Sequence, residues 1–183
     1  MIKVTNLIVT SLVVSLFSFC LMTCDLGGDV DFTQELMLQG EPWIGITEMN
    51  EAAELLGAID SDDWCYSNNI PSAKTAKKGV VPAGFYISAA YPNPTNGVTN
   101  ISYGLPQESY VTVKIYKSNM GSISSIRTLL TDGYSHAGYH SLSWDCRDDN
   151  GHKVMPGIYR CFITVSSNEY SYYDCHGDIQ VID

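Results

Sequence analysis

The chain has 183 residues, room for one ordinary domain plus extensions, and its 45% hydrophobic and 16% charged residues describe a globular protein rather than a disordered one. A formal net charge of −10 argues against nucleic acid as a partner, because phosphate binding needs clustered Lys and Arg. The acid is unevenly placed: residues 25–63 hold eleven Asp or Glu and no Lys or Arg, the composition of a solvated, self-repelling stretch.

The chain begins "MIKVTNLIVTSLVVSLFSFCLMTC", with Lys3 as its only early positive charge and an apolar run over residues 7–22. That run is short and punctuated by Ser and Thr, so it fits the hydrophobic core of a signal peptide better than a membrane span. It closes on "LMTC", residues 21–24, which resembles a bacterial lipobox. The resemblance implies a signal peptide over residues 1–23, cleavage before Cys24 and a diacylglyceryl group on the Cys24 sulfur. The alternatives are ordinary secretion with Cys24 as a plain thiol, or an uncleaved anchor. Cys20 lies inside the apolar run after the bulky Phe19 and makes a poor cleavage site. Two or three acyl chains hold a protein to a bilayer durably, where one binds only marginally. The expected location is the cell envelope, at the outer membrane or cell surface rather than the inner membrane.

Residues 24–84 read as an acidic tether. "DLGGDVDF" carries a Gly pair suited to a flexible link. "TEMNEAAELLGA" predicts one short helix over residues 48–56, capped by Thr47, favoured by Glu48 and Glu51 in its first turns and ended by Gly57. Met49, Ala53 and Leu56 would share one face. "SDDWCYSNNIPSAKTAKKGVVPAG" is rich in turn formers and reads as a linker.

From Phe85 onward the pattern changes to short alternating runs bounded by turn signals. The runs are "GFYISAAYP", "VTNISYGLP", "YVTVKIYK", "ISSIRTLL", "YHSLSWDC", "GIYRCFITVSS" and "YSYYDCHGDIQVI". Seven such strands in about one hundred residues predict an all-β, seven-stranded immunoglobulin-like β-sandwich over residues 85–183. Alternation points Val111, Val113 and Ile115 inward, and Leu142 and Trp144 likewise.

The segments "YPNPTNGVTNISYGLP", "YVTVKIY" and "AGYHSLSWDCRDDNGHKVMPGIYRCFI" resemble, in order and spacing, the immunoglobulin-like domain of the flagellar hook-capping FlgD type. They also resemble the C-terminal sorting domains of type IX secretion cargo. The matching residues are Tyr91, Pro92, Asn93, Pro94, Leu105, Pro106, Gly138, His140, Trp144, Asp145, Asp148, Gly151, Gly157 and Tyr159. The resemblance covers residues 85–181 and implies the same sandwich fold. The sequence ends in "GDIQVID" without the Lys/Arg-bearing tail usual in sorting domains, and the hook-engaging region of the FlgD type has no counterpart.

Physics accounts for this skeleton without catalysis. Pro92 and Pro94 fix φ and remove two N–H donors, which suits an edge strand or the loop leading into one. Asn96-Gly97 and Asn150-Gly151 predict tight turns with positive φ, and Gly157 eases the chain into the next strand. Trp144 and Tyr159 are expected in the core with their polar tips bonded.

"DCRDDNGH", residues 145–152, invites a calcium reading but lacks the alternating acids and the distal Glu of an EF-hand, so a solvated hairpin turn is expected. The four histidines lack zinc-ligand spacing. Gly-x-Ser-x-Gly elbows and phosphate-cradling Gly loops are missing. The sequence therefore assigns no catalytic residue, metal, cofactor or small-molecule substrate, only the covalent lipid on Cys24.

Beyond Cys24 the mature chain would keep Cys65, Cys146, Cys161 and Cys175, which allow three complete pairings. A three-residue loop at Ser167, Asn168 and Glu169 would set Cys161 opposite Cys175, the preferred bridge. Cys146–Cys161 is its rival, Cys65–Cys146 would staple the linker to the domain, and free buried thiols are the plain alternative. Tyr170, Tyr172 and Tyr173 read as packing residues more than as a sugar-binding platform. The resulting expectation is an exported, lipid-anchored envelope protein. Its sandwich serves a structural or protein-interaction role, with an envelope or secretion-machinery protein as partner. Type IX sorting on a small surface protein and carbohydrate binding are the alternatives.

Overall fold

The computed structural model describes residue 43 and residues 45–57, 59–64, 80–119, 122–167 and 173–183. These residues belong to one compact unit, Asp31–Asp183. Seven strands follow in chain order: β1 (Tyr86–Ile87), β2 (Thr99–Leu105), β3 (Ser109–Asn119), β4 (Ser122–Ser135), β5 (Gly138–Trp144), β6 (Gly157–Ser166) and β7 (Tyr173–Val181). They form two antiparallel sheets, one ordered β1-β2-β5 and the other β4-β3-β6-β7. The chain crosses between sheets after β2, β4 and β5, producing the immunoglobulin-like sandwich that the alternation predicts.

The period-2 reading is borne out where it was sharpest. Val111, Val113 and Ile115 of β3 are fully buried, as are Tyr159, Cys161 and Ile163 of β6 and Ile179 of β7. They meet Ile101, Leu105 and Trp144 from the facing sheet in one continuous core. Each fully buried aliphatic side chain contributes roughly 1.5–3 kcal/mol relative to its exposed state. Trp144 and Tyr159 pack edge to face with ring centroids 5.4 Å apart.

Among the described residues there is no helix, and the expected helix over residues 48–56 is replaced by a tight loop. Asn50 explains the difference. Its Oδ1 accepts the N–H groups of Ala52 and Glu54, drawing the backbone out of any helical ladder. Ala53 adopts φ 57, outside the right-handed helical region. Met49 forms isolated bridges to Leu55 and to Asn93, so pairing with the sandwich replaces a helix that would be marginal alone. Leu56, expected on the packing face, is 61% exposed.

Asn96-Gly97 also departs from its expectation, since Gly97 does not have positive φ. Thr95 builds the turn instead, its Oγ1 accepting the Gly97 N–H and donating to the Val98 carbonyl. Gly151, at φ 82, and Gly157, at φ 154, behave as expected.

Residues 45–57 and 59–64 do not run free of the sandwich. Trp64 is 2% exposed and joins the core against Gly177 of β7. A Cβ built on Gly177 would lie 2.1 Å from the Trp64 ring, so only glycine leaves room for the indole. Gly177→Ala is expected to destabilise the fold by about 1–3 kcal/mol through this overpacking. Denaturant titration of Gly177→Ala, Trp64→Ala and the double variant checks it: once Trp64 is absent, the alanine should cost little.

Candidate functional site

The described residues with the densest polar chemistry lie along the outer edge of β7. An edge strand presents a row of unpaired backbone groups. Here each outward group from the His176 carbonyl to the Ile182 N–H has a partner. The Trp64 N–H donates to the His176 carbonyl at 2.6 Å. The Asp178 N–H donates to Asp63 Oδ1 at 2.8 Å, and the Asp178 carbonyl accepts from Asn93 Nδ2 at 2.9 Å. The Gln180 N–H donates to Asn93 Oδ1 at 2.9 Å. The Thr95 N–H donates to the Gln180 carbonyl, and the Ile182 N–H to the Thr95 carbonyl.

Asn93 is the hub. It is fully buried, and its Nδ2 also donates to the Thr47 carbonyl at 3.1 Å. Its backbone pairs in both directions with Met49. One amide thus satisfies three backbone groups on two separate stretches. The peptide bonds Tyr91–Pro92 and Asn93–Pro94 are both cis, and they flank this side chain. Thr99 Oγ1 donates to the Pro92 carbonyl at 2.8 Å, fixing the loop to β2.

Beside the hub sits a buried ion pair. Arg160 of β6 and Asp178 of β7 are directly opposite each other, and Arg160 Nε and Nη2 reach the two Asp178 oxygens at 2.7 and 2.8 Å. Trp43 stacks on the Arg160 guanidinium at 4.9 Å. Burial pushes the Asp178 carboxyl upward, and Arg160 opposes that. Burial pushes Asp63 up to about 7, against the N–H groups of Asp178 and Thr47 that favour its ionised form. His176 is pulled down to about 4 by burial and by Arg160.

The signature residues separate into roles. Trp144 Nε1 donates to the Arg147 carbonyl and the Tyr159 hydroxyl to the Met155 carbonyl, so both buried rings have the bonded tips expected of them. Tyr91 pairs with Asn100 of β2. Asp145 accepts from the Arg147 N–H, and Asp148 accepts from the N–H groups of Asn150 and His152. The Asp148 carboxylate thus organises a backbone turn, which holds its pKa below the usual carboxylate range.

The cysteines differ from the preferred pairing. Cys161 and Cys146 are free and buried, while Cys175 is disulfide-bonded. The Cys161–Cys175, Cys146–Cys161 and Cys65–Cys146 bridges are therefore not formed. The partner of Cys175 lies outside the described residues, as do Cys24, Cys65, Tyr170 and Tyr172. The reason is register: Val165 pairs with Tyr173, leaving seven residues between them where a shorter loop was expected. That sets Gly177 opposite Cys161 and Ile163 opposite Cys175. Burial raises both free thiols, Cys146 to about 11, so neither is poised as a nucleophile.

The outer face of β3 and β4 carries a second feature. Tyr110 and Tyr134 are cross-strand partners, 52% and 53% exposed, with ring centroids 5.7 Å apart and an interplanar angle of 63°. Tyr134 and His136 hydrogen-bond the exposed Glu108 carboxylate and hold it below its ordinary pKa.

The chain matches no protein-family model and no curated protein.

Asn93→Asp should cost about 3 kcal/mol or more, because a buried carboxylate would face two carbonyls it cannot bond. Asn93→Ala should cost less, and chemical denaturation of the two variants tests that order. In thiol labelling of the native protein, Cys146 and Cys161 should resist alkylation, react on unfolding without reductant, and leave Cys175 crosslinked until reduction.

Proposed function

We propose that this is an exported, lipid-anchored protein of the bacterial cell envelope whose sandwich holds a protein partner without catalysis. The lipobox-like "LMTC" supports the anchor, and Cys24 would carry the lipid. From Cys24 to Trp43 the tether could span at most about 65 Å, so the sandwich would work close to the bilayer.

The observation that carries the interaction role is the exposed Tyr110–Tyr134 pair on a rigid sheet face. Tyrosines contribute large contact area at low entropic cost and are enriched where interfaces are strongest. The Glu108–His136 contact beside them supplies a polar rim. A protein surface is a better fit than a sugar, because rings set at 63° offer no common plane on which a pyranose could stack. A type IX sorting role is the second reading, favoured by the "YPNP" to "GIY" skeleton alone.

Metabolic labelling with a fatty acid should mark the wild type and leave Cys24→Ala unlabelled; equal labelling would refute the anchor. Crosslinking in intact cells should capture a partner that Tyr110→Ser/Tyr134→Ser loses at least tenfold, with thermal stability little changed. A capture unaffected by that double substitution places the interface elsewhere. Removal of residues 85–183 from a reporter fusion tests sorting: retention in the periplasm supports it, and undiminished surface display rejects it.

A further inference from the structure

Two carboxylates and one guanidinium are buried together where residues 43–64 cross the edge of β7. Asp63, Asp178 and Arg160 are all buried. Both Asp178 oxygens are taken up by Arg160. Asp63 is held by backbone alone: Oδ1 accepts from the Asp178 N–H and Oδ2 from the Thr47 N–H, each at 2.8 Å. Counting charges leaves one buried negative charge in excess when both acids are ionised. The other groups facing Asp63 do not neutralise it. Asp178 of β7 and Asp60 of the arm act on it directly, whereas His176 of β7 couples to Arg160 of β6 and to Asp62 of the arm. His176, pulled down to about 4, is uncharged near neutrality. Asp60 adds further negative potential at Asp63.

The same carboxyl is also one of the ties that seat the arm. It ties Thr47 at one end of the loop to β7, while the Trp64 N–H bonds His176 next door and the Thr47 carbonyl accepts from Asn93. Loss of Asp63 from its seat would therefore release the Thr47 and Asp178 N–H groups, while Trp64 in the core and the Met49–Asn93 pairing still hold the arm.

We propose that residues 45–57 and 59–64 form a pH-responsive clasp on the edge of β7, closed while Asp63 is protonated and progressively loosened as Asp63 ionises. The sign follows from proton linkage. In the clasped state Asp63 binds its proton up to about 7, mainly because burial disfavours the charged form. In the open state it titrates as an ordinary aspartate, near pH ~4. The clasped state thus binds more protons between those values, and the clasp weakens as pH rises through that window. Below the window both states are protonated and above it both are ionised, so the effect is confined to it. When the clasp opens, the Asp178 N–H loses its partner, while Asn93 and Thr95 still cap the rest of the β7 edge.

Amide hydrogen exchange of the purified full chain, corrected for the intrinsic pH dependence of exchange, tests this. The opening constants of the Thr47 and Asp178 N–H groups should rise by roughly tenfold per pH unit between about pH 5 and pH 7, then level off. The Val113 amide, within the β3–β6 pairing, should show no such trend. Asp63→Asn should flatten the profile at Thr47 and Asp178. A pH-independent opening in the wild type, or the same slope in Asp63→Asn, overturns the proposal. Should Asp63→Asn fail to fold, the wild-type side-chain carboxyl resonance of Asp63 decides. A midpoint above about pH 6 supports the clasp, and a midpoint at or below that value ends it.

Discussion

A sandwich whose last strand lies at the rim of a sheet must dispose of a row of backbone donors and acceptors that no other strand will take. In this protein that constraint recruits three distant stretches of chain. Asp63 and Trp64 arrive from upstream of the sandwich, Asn93 and Thr95 from the loop before β2, and Thr47 closes the arrangement from behind. Leaving a single buried donor or acceptor unmet costs about 1–3 kcal/mol, and several such groups lie in succession along β7. The proline-rich loop makes sense in this light. Pro92 and Pro94 have no N–H of their own to satisfy, and between them they present one side chain whose donors and acceptor match the gap.

The opposite rim of the same sheet meets the problem differently. β4 is long, yet its pairing with β3 shifts register at three points, between Val111 and Val113, Val113 and Lys114, and Ile115 and Tyr116. Bulges of this kind bend and twist a strand so that another flat strand cannot lie along it. Asp149 covers part of what remains, through the Ile126 carbonyl and the Thr128 N–H. In the smaller sheet β1 is only two residues long, which limits its exposed edge. Twist, brevity and capping are thus divided among the strands, and capping alone brings buried charge with it.

Much of the fold could be read directly from the residues because alternation is a local signal. Val111, Val113 and Ile115 announce their face to any reader of five consecutive letters, and Trp144 sits where a large aromatic between polar neighbours belongs. The failures came where distance in sequence mattered. Asp63 and Asp178 meet across 115 residues, and Asn93 and Asp178 across 85, with no periodicity to betray either pair. The helix expected over residues 48–56 followed from good local propensity that Asn50 and the pairing of Met49 override. Trp64 looked like a linker residue because the slot that receives it is the missing side chain of Gly177. The Cys161–Cys175 bridge failed through a loop-length assumption, since both cysteines do lie in the core and only the register separates them.

That last miss exposes what the buried Arg160–Asp178 pair is for. A strand that slides by two residues keeps every side chain on its proper face, so hydrophobic alternation is blind to such an error. Slid that far, β7 would set Cys175 against Cys161, an arrangement that oxidising surroundings could then lock in. It would also set His176 against Arg160 and carry Asp178 away to face Ile158, abandoning a buried guanidinium. The ion pair therefore acts as an alignment key: a two-residue slip of the final hairpin would strand the Arg160 guanidinium away from Asp178 before any sulfur has reacted.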